Sequence, residues 1–493
     1  MTADSRFQLP DADAMRFRLP ASRFWPVIVL VAASACAANQ PPSTGGTQPR
    51  DLIAIQAGAR AFESAASAIT EASVRAHMEF LASDALNGRG SGTREEWLAA
   101  QYIAAQFTRW GLEPMGDAGG FVQTIALADF DVTGPPTLEA GGLTLTHGRE
   151  MLVWTLARPT TSGQILKYEG QEAVPMGTVL LLPEGRAATP VPGASMLIAL
   201  ATDRENGQWQ ARGANPPRLP TEITRLAAAP ATRPSIVYVN AETHAALGAL
   251  FDRTVVTLRA PLGEPRRSYT WNVVGRLAGA NAVAAEDVLV LSAHIDHVGS
   301  RGTEGDTIYN GADDDASGTV AVMELARALA AGPRPRRTIV FALFGSEERG
   351  GHGAAYFVGQ PVVPLDRIVA DLQFEMIGRP DAAIDPQTLW LTGYERSNLG
   401  ERLVAQGARL VADPHPEQNF FTRSDNIRFA RAGVVAHTVS SFGLHGDYHR
   451  PSDEIDTIDF AHMTSAIRSM LEPIRWLAGS DFRPAWNPGG RPE

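Results

Sequence analysis

The chain has 493 residues, 44% of them hydrophobic and 20% charged, which describes a globular protein too long for one ordinary core, so two domains plus appendages are expected. The net charge of -11 is spread along the chain with no basic stripe, which argues against a nucleic-acid partner. Cys36 is the only cysteine, so an intrachain disulfide is excluded.

In chain order, Arg16, Arg18 and Arg23 precede an apolar run, Phe24–Ala35, that ends in Ala33-Ser34-Ala35. A basic region, a short apolar region and small residues at the end describe a secretory signal, and the run falls short of the about 20 residues that span a bilayer. Small residues directly before Cys36 resemble a bacterial lipobox, although Ala33 stands where leucine is usual. Lipidation of Cys36 would then be the only membrane contact; secretion with cleavage near Ala35 or Ala38 is the alternative. Residues 1–36 are thus expected to be a signal segment, and the Pro/Gly/Ser/Thr-rich residues 37–50 a tether.

Helical patterning starts near Leu52 and runs through Val74–Leu81. An amphipathic helix is expected over Glu95–Trp110, closed by Gly111. From 128 to 268 short β-like runs such as MLVWTL, TVLLLP and SIVYV alternate with Gly/Pro turns, and the two histidines there, His147 and His244, stand alone. This stretch reads as an inserted β-rich module between residues 51–127 and 269–480 of a main domain, with 481–493 as a tail.

From Trp271 strands and helices alternate. Strands are expected at Asn272–Leu277, Val288–Leu291, Thr338–Phe344, Ile368–Phe374, Thr388–Thr392 and Val434–Val439. Helices are expected at Thr319–Ala331, Gly353–Phe357, Leu399–Leu410, Asp425–Ala432 and Asp459–Ala478. The fold class is therefore α/β, a mixed, mostly parallel sheet sandwiched by helices with a β-rich insertion.

Polar groups gather where such a sheet binds ligands, at strand carboxyl ends. His294 and Asp296 follow one strand, Glu347 and Glu348 another, and Glu375 a third; Asp313, Asp314 and Asp315 lie in YNGADDDASG, and His449 in GLHGDYHRPSDEID. Each alone is a weak signal. Adjacent carboxylates beside buried strand ends are costly unless a cation neutralises them. Together these residues offer enough nitrogen and oxygen ligands for two zinc ions.

The run SAHIDHVG…YNGADDDASG…FALFGSEE…FEMIGR…DYHRPSD resembles the co-catalytic di-zinc aminopeptidase family, exopeptidases on a phosphorylase/hydrolase-like α/β fold. The module at 128–268 sits where many members carry a protease-associated domain. The resemblance implies that His294, Asp314 and Glu375 hold one zinc ion, that Asp314, Glu348 and His449 hold the other, and that Asp314 bridges them. It implies Glu347 as the general base and Asp296 as the partner of His294. Two departures are Glu375, often aspartate in the family, and Asn426, where relatives often have histidine. The implied reaction is hydrolysis of the first peptide bond of substrates with a free N-terminus, by water activated between the ions. Rival readings are a carboxypeptidase, for which Arg379, Arg423 and Arg450 are available, and a surface-anchored binding protein without catalysis. His297, His352, His437 and His445 are read as structural or solvated, His445 having the best claim to touch substrate.

Overall fold

The computed structural model describes residues 68–226, 233–281 and 283–492. The expected signal segment with Cys36, the tether and the helix near Leu52 lie outside the described residues. No helix among the described residues is long and apolar enough to cross a membrane.

A ten-stranded sheet organises the main domain. We number its longer strands β1 (Val122–Asp129), β2 (Arg266–Leu277), β3 (Val288–His294), β4 (Thr338–Phe344), β5 (Ile368–Phe374), β6 (Leu389–Leu391), β7 (Leu410–Ala412) and β8 (Ala436–Ser440). They run in the order β7-β6-β8-β5-β3-β4-β2-β1. The central four, β8, β5, β3 and β4, are mutually parallel, so their carboxyl ends share one edge. Every residue of β3, β4 and β5 is buried, as expected of strands covered on both faces.

Helices Glu71–Leu81, Arg94–Arg109, Gly318–Ala331 and Phe460–Gly479 pack over one face in a continuous apolar cluster. Helices His352–Gly359 and Asn426–Arg431 cover the other through Phe344, Phe357 and Phe429. Truncating such a buried phenylalanine to alanine costs about 3–5 kcal/mol. The Arg94–Arg109 helix begins where the Thr93 side chain accepts the Glu96 N–H, and Gly111 beyond its end takes φ +72°, open to glycine.

A second, eight-stranded sheet is built from strands between Thr137 and Arg259 around its own core of residues such as Val179, Ile198 and Val237. Helices Asp203–Gly213 and Ala241–Gly248, absent from the sequence reading, accompany it. The ends of the expected module belong elsewhere. Ala128 and Asp129 pair with Arg267 and Arg266 in the main sheet, and Glu222–Ile223 returns to pair with β1. The expected helix Leu399–Leu410 stops at Val404, because Gly407 at φ +95° turns the chain and Leu410 enters β7. Trp486, in the expected tail, donates its indole N–H to the Gly433 carbonyl at 3.2 Å and packs on the main core.

Candidate metal centre

His294 ends β3 with its ring buried. Its Nδ1 lies 3.1 Å from the Asp296 carbonyl oxygen, which leaves Nε2 to face Asp314 Oδ1 at 3.3 Å. The sequence reading paired His294 with the Asp296 carboxylate; the structure puts the carbonyl nearer, and the carboxylate is 3.8 Å away. That carboxylate instead accepts the backbone N–H of Glu347 at 2.9 Å and of Glu348 at 3.3 Å, and the Ser91 hydroxyl.

The three aspartates divide their work. Asp315 accepts the N–H of His294, Gly318 and Met376 at 3.2, 3.0 and 3.1 Å, binding together the ends of β3 and β5 and the helix between. Asp313 accepts the Gly378 N–H at 2.7 Å and faces His445 Nε2 at 2.9 Å. Asp314 alone presents its carboxylate to both sets of expected ligands: Oδ1 faces His294, and Oδ2 lies 3.1 Å from His449 Nε2. Asp453, overlooked in the sequence, accepts the N–H of Asp313 and Asp314 at 3.0 and 3.1 Å.

After β4 the chain turns sharply. A Cβ on Gly345 would lie 2.3 Å from Glu96 Oε1, and Ser346 takes φ +55°. Glu96, buried, accepts the Ser346 N–H at 3.1 Å and so holds the turn that delivers Glu347 and Glu348. Glu348 Oε1 lies 3.0 Å from His449 Nε2. Glu375 follows β5 and lies within one ligand group with His294 and Asp314, whose donor atoms are all within 4.8 Å of one another. All seven expected site residues therefore converge on one edge of the sheet.

Arg89 was also missed. Fully buried, it donates to the carbonyls of Leu81, Ile295 (3.0 Å), Asn310 (2.6 Å) and Gly311 (3.0 Å). It thus ties the two ligand-bearing loops together and places a cation beside the acidic cluster. The only trace in the sequence was its place in LNGRGSGTREEW, which carries Glu96 as well. Of the other histidines, His437 is buried between the Thr392 carbonyl and the Ser397 hydroxyl, both at 2.7 Å, and is structural.

The fit of cations to this site can be tested on the side chains themselves. His294 Nε2, Asp314 Oδ2 and Glu348 Oε1 are buried without a hydrogen bond, a costly state for atoms with no partner. Burial opposes charge on His449, yet Asp314 and Glu348 push its pKa up to about 10. Burial raises Glu347 well above the usual carboxylate range. Imidazole and carboxylate donors clustered in this way suit zinc. Beside Glu375 a pocket opens, lined by Met376, Trp390, Phe420, Phe442, Arg423 and Tyr448.

At the carboxyl edge of the parallel strands, Asp314 is thus shared by two groups of side chains that could each hold a metal ion. Residues 272–473, the stretch that holds every expected ligand, match the model of peptidase family M28. Leucine aminopeptidase 2 of Trichophyton rubrum is 26% identical over 244 residues, 44% of this chain and 47% of that protein. The leupeptin-inactivating enzyme 1 of Streptomyces exfoliatus is 35% identical over 149 residues, 30% of this chain and 31% of the other. The chain thus spans less than half the length of these curated relatives. Among solved structures, an aminopeptidase from Aneurinibacillus sp. strain AM-1 aligns over 84% of this chain and 95% of its own, with 18% identity and a TM-score of 0.47.

Proposed function

We propose that this chain is an exported, zinc-dependent aminopeptidase that binds two zinc ions and releases the N-terminal residue of peptides. The observation that carries the reading is Asp314, whose two carboxylate oxygens face His294 on one side and His449 on the other, 3.3 and 3.1 Å away. Zinc, when bound, supplies a Lewis acid for the scissile carbonyl and lowers the pKa of water.

The chain's own residues do the rest. Glu347 is the general base: it takes a proton from the attacking water and passes it to the leaving amine. Burial raises its pKa, which makes it a stronger base than an exposed carboxylate. Asp296 and Glu96 fix the backbone around it through the N–H groups of Glu347, Glu348 and Ser346. The buried acids around the pocket favour a substrate with a free α-amine. Arg423 supports a second reading, a carboxypeptidase, because it lines the pocket beside Glu375 and has no ion pair among the described residues.

The test is hydrolysis of matched peptides with free and acetylated N-termini, with and without a zinc chelator. Chelator-sensitive release of the first residue from the free-amine peptide alone is expected. Release of the last residue would favour the carboxypeptidase, and no cleavage by zinc-loaded protein would favour a binding protein. Export and Cys36 lipidation rest on residues 1–36 alone and are checked by mass analysis of the mature N-terminus.

A further inference from the structure

His297, given a structural or solvated role above, is wholly buried at the metal centre. Its backbone N–H donates to the Arg89 carbonyl at 3.1 Å, and its ring lies against Gly311, where a Cβ would stand 2.5 Å from His297 Cγ. Gly311 takes φ +58°, so both its backbone and its missing side chain make room for this ring.

His297 Nδ1 lies 2.9 Å from Glu348 Oε1 and 3.7 Å from Asp314 Oδ2. His449 Nε2 reaches the same two oxygens at 3.0 and 3.1 Å. The two rings meet edge to face with centroids 5.5 Å apart. Four donor atoms from four side chains thus form a figure whose known edges run from 2.9 to 3.7 Å. A tetrahedral zinc site with bonds of about 2.0–2.1 Å has edges of about 3.3 Å. Despite their closeness, His297 Nδ1, Glu348 Oε1 and Asp314 Oδ2 make no hydrogen bond, and all three are buried. Atoms directed at a common point, rather than at one another, leave this pattern.

We propose that His297 is a fourth protein ligand to the cation held by Asp314, Glu348 and His449, so that the two cation positions are unequal. The inference rests on the metallopeptidase reading of the site. A position with four protein ligands is closed, as in structural zinc sites, whereas His294, Asp314 and Glu375 leave the other position open to a reactant. One ion is then held tightly, and the other is exchanged more readily and faces substrate.

The experiment uses the full chain and reads metal binding, not turnover. Wild type, His297→Ala and His297→Asn are stripped of metal, checked for folding by thermal unfolding, and titrated with zinc against a chelator. They are then loaded with cobalt(II) for visible spectroscopy. Wild type is expected to take up two ions with well-separated affinities. Both variants are expected to weaken the tighter ion by more than about 100-fold, beyond what loss of a residue that merely supports a ligand causes. Their cobalt spectrum is also expected to change. A smaller loss with the wild-type cobalt spectrum would overturn the assignment and leave His297 as a support for Glu348. Should alanine prevent folding, asparagine, which keeps a polar group in the space, decides alone. A wild-type chain that takes up no zinc would overturn the metallopeptidase reading itself, and this inference with it.

Discussion

The carboxylate of Asp296 accepts the backbone N–H of Glu347 at 2.9 Å, so the end of β3 holds the loop after β4 in place. The same residue offers its carbonyl to His294 Nδ1 at 3.1 Å. One aspartate thereby sets the ring orientation of one expected ligand and the backbone position of the expected base.

Asp296→Asn replaces one acceptor oxygen with an NH2 that faces an N–H. Zinc affinity and kcat/KM are both expected to fall by about 10–100-fold. Chelator competition and steady-state kinetics measure this, and unchanged zinc affinity would show that the carboxylate serves only the Glu347 loop.

Glu347→Gln keeps the side-chain size and removes the base. Turnover is expected to be lost while zinc content, measured by elemental analysis, stays at the wild-type level. Appreciable turnover in this variant would remove Glu347 from the base role.

Arg89→Met deletes a buried cation that donates to four carbonyls, and should destabilise the fold by about 3–5 kcal/mol. Arg89→Lys should recover little, because a lysine cannot reproduce the planar fork. Thermal unfolding with and without zinc checks both; a lysine variant as stable as wild type would mean that charge alone suffices.

Zinc uptake should release protons. Burial opposes charge on His294, but Asp296 and Asp314 raise its pKa well above the usual value, and Asp314 and Glu348 hold His449 at about 10. The His449 ring is therefore protonated in metal-free protein at neutral pH and must lose a proton to bind. Apparent zinc affinity should rise as pH increases towards 10, and titration in weak buffer should acidify the solution.

His437 reports on stability away from the metal centre. Burial lowers its pKa from 6.5 to about 4. The neutral ring's contribution is intact above pH 6.5, and it is lost as pH falls through 6.5 towards 4, because the unfolded chain takes up the proton first. For metal-free protein, the advantage of wild type over His437→Gln should shrink by about 3 kcal/mol between pH 7 and 4, read by denaturant unfolding. A constant difference would sink the assignment.

Much of the main domain was legible in the sequence because its central strands are uniformly apolar and end abruptly in polar residues. Thr338–Phe344 and Ile368–Phe374 are strands over the residues expected. Burial on both faces leaves no other place for such runs, and chemistry-bearing side chains then fall at their ends. The expected ligands were legible for the same reason, as each follows a strand or sits in a Gly-punctuated loop.

What the sequence could not convey depends on contacts between distant segments. Arg89 and Glu96 lie some 200 or more positions from the loops they brace, and no local pattern marks a buried guanidinium bonded to four carbonyls or a carboxylate capping a turn. Helix Leu399–Val404 was overextended because local propensity does not register the pairing of Leu410 with Leu389. His297 looked ordinary because its partners, Glu348 and His449, come from other strand ends. The sequence by itself determined which elements form and which residues lie at their ends, through hydrophobic periodicity and turn chemistry. Only the tertiary structure decided which of those ends meet, which way each ring nitrogen points, and which buried charges find partners, because these follow from packing across the whole sheet.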